Sequence, residues 1–141
     1  MARSNNVLLI VAADEVRRLF REYLAPLDIQ SKHFVILFLL ANQGAMSQVE
    51  IGQATGVARA PMVQLIDHLE QRGLAERTPN PSDRRAHAVQ ITEKGREVLA
   101  QANEVASRVE AEIHAHLSAE ERQQLNYLLN RLLGSHFPER H

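Results

Sequence analysis

Two adjacent arginines, Arg84 and Arg85, follow Asp83 in a short polar stretch between Pro81 and His87. Like charges on neighbouring residues repel each other and gain little from packing, so the pair suits a surface that meets a polyanion. A narrow, electronegative minor groove gives such an arginine a partner. Asp83 suits a structural role, orienting an arginine or closing the turn. The bland alternative is a solvated charge run.

A second candidate set lies upstream. Over residues 59–72, Met62, Leu65, Ile66 and Leu69 recur at helical spacing and form a buried side. At about 100° per residue, Ala60, Gln64, Asp67 and Gln71 fall on the opposite side, with Pro61 and His68 flanking. That face starts with Arg59, is small at Ala60 and Pro61, and carries an amide in its middle. Such a helix can approach a major groove closely. Gln64 can pair with an adenine edge, and Ala60, Pro61 and Val63 can meet thymine methyls. On an ordinary surface helix the same pattern is only a polar face.

The elements that position these residues are legible from local chemistry. Ser47 and Glu50 form a capping box that opens a helix, whose apolar face is Val49, Ile51 and Ala54. Ser47 and Gln48, at its start, are the expected phosphate contacts. Gly56 ends it, because glycine takes the left-handed backbone conformation readily. Val57 returns to the core, and Pro61 lies near the next helix start, where a missing N–H costs little. Gly73 ends that helix, with Arg72 in its last turn, where a cation suits the dipole. Residues 74–77 then read as a strand and 78–83, with Pro79 and Pro81, as a turn. His87, Val89 and Ile91 alternate with Ala88 and Gln90 in a second strand. Helix, tight turn, helix and hairpin make a winged helix-turn-helix.

The flanks read as long helices. Residues 1–6 form a loose arm, and a helix over 7–24 presents Leu9, Ala12, Val16, Leu19, Phe20 and Tyr23. Its first turns are apolar nearly all round, which suits burial on more than one face. Pro26 ends it. A helix over 32–42, with Ser31 as N-cap, carries Phe34, Val35, Leu37, Phe38 and Leu40, and Gly44 closes it. Residues 45–46 add a small strand beside the hairpin. Thr92 caps a helix over 93–117, whose Leu99, Ala102, Ala106, Val109, Ile113 and Leu117 form a helix–helix seam. Ser118 and Glu121 cap a last helix to residue 133, with Leu125, Leu128, Leu129, Leu132 and Leu133 as its stripe and Gly134 at its end. These stripes exceed what one chain of this size can bury, so a two-fold dimer is expected, with the first, fifth and sixth helices of both chains interlocked. A two-fold dimer fits pseudo-palindromic DNA with half-sites about one helical turn apart.

Several motifs together resemble the MarR family of winged-helix transcriptional regulators. They are Gly56–Val57, the run L-x-x-R-G-L-x-x-R from Leu69 to Arg77, P-x-D-R-R from Pro81 to Arg85, I-T-E-K-G from Ile91 to Gly95, and P-L-x-I from Pro26 to Ile29. The match covers nearly the whole chain in order. The resemblance implies a mainly α (α+β) fold: a dimerisation helix over 1–30, a winged helix-turn-helix lobe over 31–92, and dimerisation helices over 93–141. It implies that Ala60, Pro61 and Gln64 enter the major groove and Arg84 the minor groove, with Arg85 near phosphate. It also implies a cytoplasmic homodimeric repressor, in a bacterium or archaeon, relieved by a small aromatic or phenolic anion. For that anion Phe34 and Phe38 would wall a pocket, and Arg17, Arg21 or Lys32 would pair its charge.

Composition narrows the function classes. The 141 residues carry a net charge of −1, so no global basic field is present. Locally, residues 56–96 hold seven basic and five acidic side chains, while 97–141 hold four and seven. The hairpin half is thus modestly positive. The absence of cysteine excludes disulfides, thiol redox sensing and zinc–thiolate sites. The apolar run at 7–13 is too short to span a bilayer. No G-x-S-x-G, phosphate loop, H-E-x-x-H or dinucleotide fingerprint is present, and Asp83 with His87 on an exposed hairpin lacks a dry pocket. An enzyme is not expected, nor is any cofactor. His114 and His116, two apart on a helix, face different directions; His136 and His141 lie in the tail; His33 and His68 read as surface or phosphate-side residues. Two alternatives stay open: a winged-helix module that binds protein rather than DNA, and a metal-responsive regulator of the same fold.

Overall fold

The computed structural model describes residues 3–80 and 83–134, the backbone alone at 80 and 83–86. Among the described residues six α-helices and three strands follow the order α1 (Asn5–Leu24), α2 (Ser31–Gln43), β1 (Met46–Ser47), α3 (Gln48–Thr55), α4 (Arg59–Gln71), β2 (Ala75–Asn80), β3 (Asp83–Ile91), α5 (Glu93–Ile113) and α6 (Ala119–Leu133). A 3-10 turn, Ala25–Leu27, links α1 to α2 and contains Pro26.

The core forms around α2, whose Ile36, Leu37, Leu39 and Leu40 are buried. Ile51 of α3, Met62, Ile66 and Leu69 of α4, Val89 of β3, and Leu99 and Ala102 of α5 close on it, with Leu24 from the end of α1 and Ile29 from the α1–α2 connection. Burial of an aliphatic side chain contributes about 1.5–3 kcal/mol, so this set is what fixes α3 and α4 in their crossing. The three strands form an antiparallel sheet in the order β1-β3-β2, with Met46 opposite Val89 and Arg77 opposite Val89 on the other side. The expected small strand is thus present, at Met46–Ser47 rather than 45–46.

The helix starts follow the local chemistry. Ser47 Oγ accepts from the Glu50 N–H at 3.1 Å, and Glu50 Oε1 accepts from the Ser47 N–H at 3.2 Å. Ser118 and Glu121 repeat this pattern, and Thr92 Oγ1 accepts from the Gly95 N–H at 3.0 Å. Gly56 sits at φ 74°, and its N–H donates to the Gly52 carbonyl at 2.8 Å, which ends α3 as the turn requires.

Several boundaries differ from the sequence reading. The first helix begins at Asn5, so residues 5 and 6 are helical rather than part of an arm. The N-cap of α2 is Gln30, not Ser31, because His33 completes a capping box with it. Val49 is 69% exposed rather than on the apolar face of α3. The strands are longer than expected: β2 runs through Thr78 and Pro79 to Asn80, and β3 already begins at Asp83. Proline is tolerated there because β2 is an edge strand and a register shift follows at Pro79/Asn80. The fifth helix ends at Ile113, not at residue 117. The chain reverses over the next residues, with the Leu117 N–H donating to the His114 carbonyl, which places Ser118 to cap α6.

Candidate nucleic-acid interface

The helix α4 lies as a two-sided element. Met62, Ile66 and Leu69 are buried, while Arg59, Ala60, Pro61 and Gln64 are exposed. Val63 and Asp67 are half-buried at the edges. Ala60 and Pro61 keep part of its N-terminal turn small, beside the long side chain of Arg59. Beside that turn is a concavity of about 600 Å³ lined by Ser47, Gln48, Val49, Gln53, Arg59 and the exposed His87 of β3. Of the expected major-groove residues, Arg59, Ala60, Pro61 and Gln64 are thus exposed and Val63 half-buried, and Arg59 borders the same concavity as His87 of the hairpin. His68 does not share that freedom. It is half-buried, and its Nε2 lies 3.1 Å from the Asp28 carbonyl. Since a carbonyl only accepts, that nitrogen carries the proton. The side chains of Asp83, Arg84 and Arg85, the expected wing contacts, lie outside the described residues; their backbone forms the start of β3.

Ser47 and Gln48 differ in how they are held. Ser47 is engaged as the cap of α3, whereas Gln48 Oε1 accepts from Arg77 Nε at 3.0 Å. The other arginine of the L-x-x-R-G-L-x-x-R run, Arg72, donates to the Leu27 and Asp28 carbonyls at 2.7 and 3.0 Å. It ties the end of α4 to the α1–α2 connection, where Asp28 takes a left-handed backbone at φ 54°.

That connection borders a second cleft of about 840 Å³, lined by Arg17 and Arg21 of α1, Lys32 and His33 of α2, and Pro61, Gln64, Leu65 and His68 of α4, among others. The three expected cations thus line one cavity, and one wall of it is α4. The two expected aromatic walls do not line it. Phe34 stacks on Phe20 with ring centroids 5.7 Å apart and packs against the core, and Phe38 is 46% exposed. Phe34 instead faces α1, and Phe38 faces solvent.

His33 corrects the surface assignment. It is buried, with 5% of its area exposed, and stacks on His68 at 4.5 Å between ring centroids. Its Nδ1 accepts from the Gln30 N–H at 2.9 Å. Burial, then the nearby His68 and Arg72, push its pKa down to about 4, with Asp28 opposing. A proton on Nδ1 would also remove the acceptor that caps α2. The folded pKa lies below the unfolded value of about 6.5, so this contribution is fully present above that pH and is lost as pH falls toward 4. The loss should approach about 3 kcal/mol. His33→Gln keeps an acceptor at this position without titrating, so urea unfolding at pH 7 and pH 4.5 should show a smaller pH-dependent loss in the variant. Equal losses in both proteins would mean that His33 is not the titrating group.

Among the described residues no group of three or more His, Asp or Glu stands close enough to hold a metal ion, and no single helix is long and apolar enough to cross a membrane. His114, the C-cap of α5, has its Nδ1 3.7 Å from Glu110 Oε1.

A model of the MarR family matches residues 29–87, from the end of the α1–α2 connection into the second strand of the hairpin. The multiple antibiotic resistance protein MarR of Escherichia coli (strain K12) is 32% identical over 117 residues, 82% of this chain and 81% of that protein. A mutant of the Escherichia coli MarR, solved in complex with operator DNA, matches with a TM-score of 0.81 at 29% identity over 92% of this chain and 93% of that one. BpsR of Bordetella bronchiseptica, whose DNA binding is regulated by 6-hydroxynicotinic acid, matches with a TM-score of 0.82 at 27% identity over 92% of this chain and 98% of that one. The likeness extends from the helix-turn-helix and its hairpin to the long terminal helices, and the chain belongs to the MarR family.

Proposed function

We propose that this protein is a homodimeric transcriptional repressor that binds a pseudo-palindromic operator. The observation that carries this reading is the exposed, small and amide-bearing start of α4 set beside a hairpin that is anchored to the same lobe. In it, α4 enters the major groove through Arg59, Ala60, Pro61, Val63 and Gln64. Arg84 enters the minor groove, and Asp83 orients the wing. Ser47, Gln48 and Arg85 meet phosphate. The exposed leucines of α6 and the apolar start of α1 support a dimer built from the terminal helices, with residues 31–92 as the DNA-binding lobe. The operator-bound relative supports the DNA-binding reading.

Regulation follows from the cleft that Arg17, Arg21 and Lys32 share with α4. A small aromatic anion there would pair its carboxylate with those cations and press on Pro61 and Leu65, shifting the helix that reads DNA. The relative that responds to 6-hydroxynicotinic acid supports a ligand of this class.

Two substitutions test the division of labour on a duplex selected by the wild-type protein. Arg84→Ala should weaken binding broadly, by about 1–3 kcal/mol, and Gln64→Ala should alter sequence preference more than the salt slope. Full affinity in Arg84→Ala would remove the wing from the mechanism and favour the protein-interaction alternative. A changed salt slope with unchanged preference would reassign Gln64 to phosphate.

A further inference from the structure

Arg77 ends the L-x-x-R-G-L-x-x-R run, yet the proposed contacts leave it without a role. Its side chain is 19% exposed and sits at the centre of a network drawn from three elements. The guanidinium reaches Asp67 at 2.8 Å and Glu70 at 3.1 Å, both on α4. Its Nε donates to Gln48 Oε1 at 3.0 Å on α3, and its backbone N–H donates to Glu70 Oε2 at 3.0 Å. Arg77 itself lies on β2, opposite Val89 at the base of the hairpin. One side chain thus joins both helices of the helix-turn-helix to the wing.

Two consequences follow from the chemistry. Arginine only donates, so the Gln48 atom that it holds must be the amide oxygen. The NH2 of Gln48 is then the end left to meet a phosphate oxygen, and the amide cannot flip without losing its bond to Arg77. Asp67 and Glu70 add two negative charges to α4, the helix that approaches a polyanion. Arg77 offsets them and turns both carboxylates toward the hairpin base.

We infer that Arg77 is a positioning residue for DNA binding, which holds Gln48 with its donor end outward and keeps the carboxylates of α4 compensated. This rests on the proposed DNA-binding function. Arg77 acts through its neighbours and makes no contact with DNA of its own.

The test uses the full-length protein and a duplex enriched by it from a randomised pool, with affinity measured at two salt concentrations for Arg77→Lys, Arg77→Gln, Gln48→Ala and the Arg77→Lys/Gln48→Ala pair. Lysine keeps the charge but has no Nε to hold the amide. Arg77→Lys and Gln48→Ala should each weaken binding roughly tenfold, as expected for a hydrogen bond to a charged group. Together they should weaken it no more than either does alone. Arg77→Gln should lose more at low salt than at high salt, because uncompensated carboxylates repel DNA through a field that salt screens. Wild-type affinity in Arg77→Lys and Arg77→Gln would overturn the inference, as would losses in the pair that multiply, since a merely structural arginine acts independently of Gln48. Failure of the wild-type protein to enrich any duplex would instead overturn the DNA-binding reading on which this rests.

Discussion

Gly95→Ala is expected to cost about 3 kcal/mol of stability, at the upper end of what overpacking a well-filled interior does. Gly95 lies in the first turn of α5 and is buried. A Cβ there would stand 2.0 Å from the Leu74 carbonyl oxygen and 2.8 Å from Ile91 Cγ1. The oxygen is main chain and already accepts from the Thr92 N–H at 3.1 Å. It cannot retreat without breaking the cap that starts α5, since Thr92 holds Gly95 from the other side. The strain would therefore appear where the hairpin base meets the long helix, so the start of α5 and the wing should loosen together. Denaturant unfolding checks this: the midpoint should drop with an unchanged slope. A loss within about 0.5 kcal/mol, the range of an ordinary surface change, would mean that α5 and the hairpin are not packed this closely.

Charging the α6 stripe should have the second large effect, on assembly and on DNA binding at once. Leu128 and Leu132 are 59% and 65% exposed in the single chain. Such leucines gain free energy only if a partner covers them. A glutamate buried without a counter-charge costs about 3–5 kcal/mol, and a two-fold interface contains each substitution twice. Leu128→Glu with Leu132→Glu should thus give a folded monomer at micromolar concentration, visible in sedimentation equilibrium with helix content retained. Its DNA affinity should fall by orders of magnitude, because one half-site then has to hold alone. A dimer of unchanged strength would place the interface elsewhere and leave this leucine stripe without a role in assembly.

What the sequence disclosed and what it withheld divides along the reach of the interactions. Ser47–Glu50, Thr92, Ser118–Glu121 and Gly56 are local devices, each acting within a few residues, and their spacing alone locates the helix starts and the turn. The two faces of α4 are equally local, since helical periodicity separates Met62, Ile66 and Leu69 from Ala60 and Gln64. His33 was misplaced because its burial depends on His68, 35 positions away, and on its use as a cap acceptor at a position where glutamate or glutamine is the familiar signal. Phe34 and Phe38 were assigned to the cleft on residue type, while their neighbours are set by how α1 crosses α2. Arg77 shows in the sequence only as the end of a motif, because its side-chain partners come from two other elements, Gln48 on α3 and Asp67 and Glu70 on α4. Pro79 suggested a turn, and only the edge position of β2 makes it compatible with a strand. A signal did exist for Arg77: an arginine ending a strand-forming segment after two carboxylates on the preceding helix face invites a search for pairing.

In the proposed function one dimer grips one duplex through paired recognition helices and wings. The most direct measurement is titration of the purified protein onto the DNA flanking its own gene and onto a pool-selected duplex, at two salt concentrations, with an unrelated duplex alongside and with stoichiometry read from the same titration. The expected result is two chains per duplex, selective binding to the selected site, and affinity that falls steeply with salt as phosphate contacts release counterions. Equal weak binding to every duplex, or no binding at low salt by a folded dimer, would contradict it.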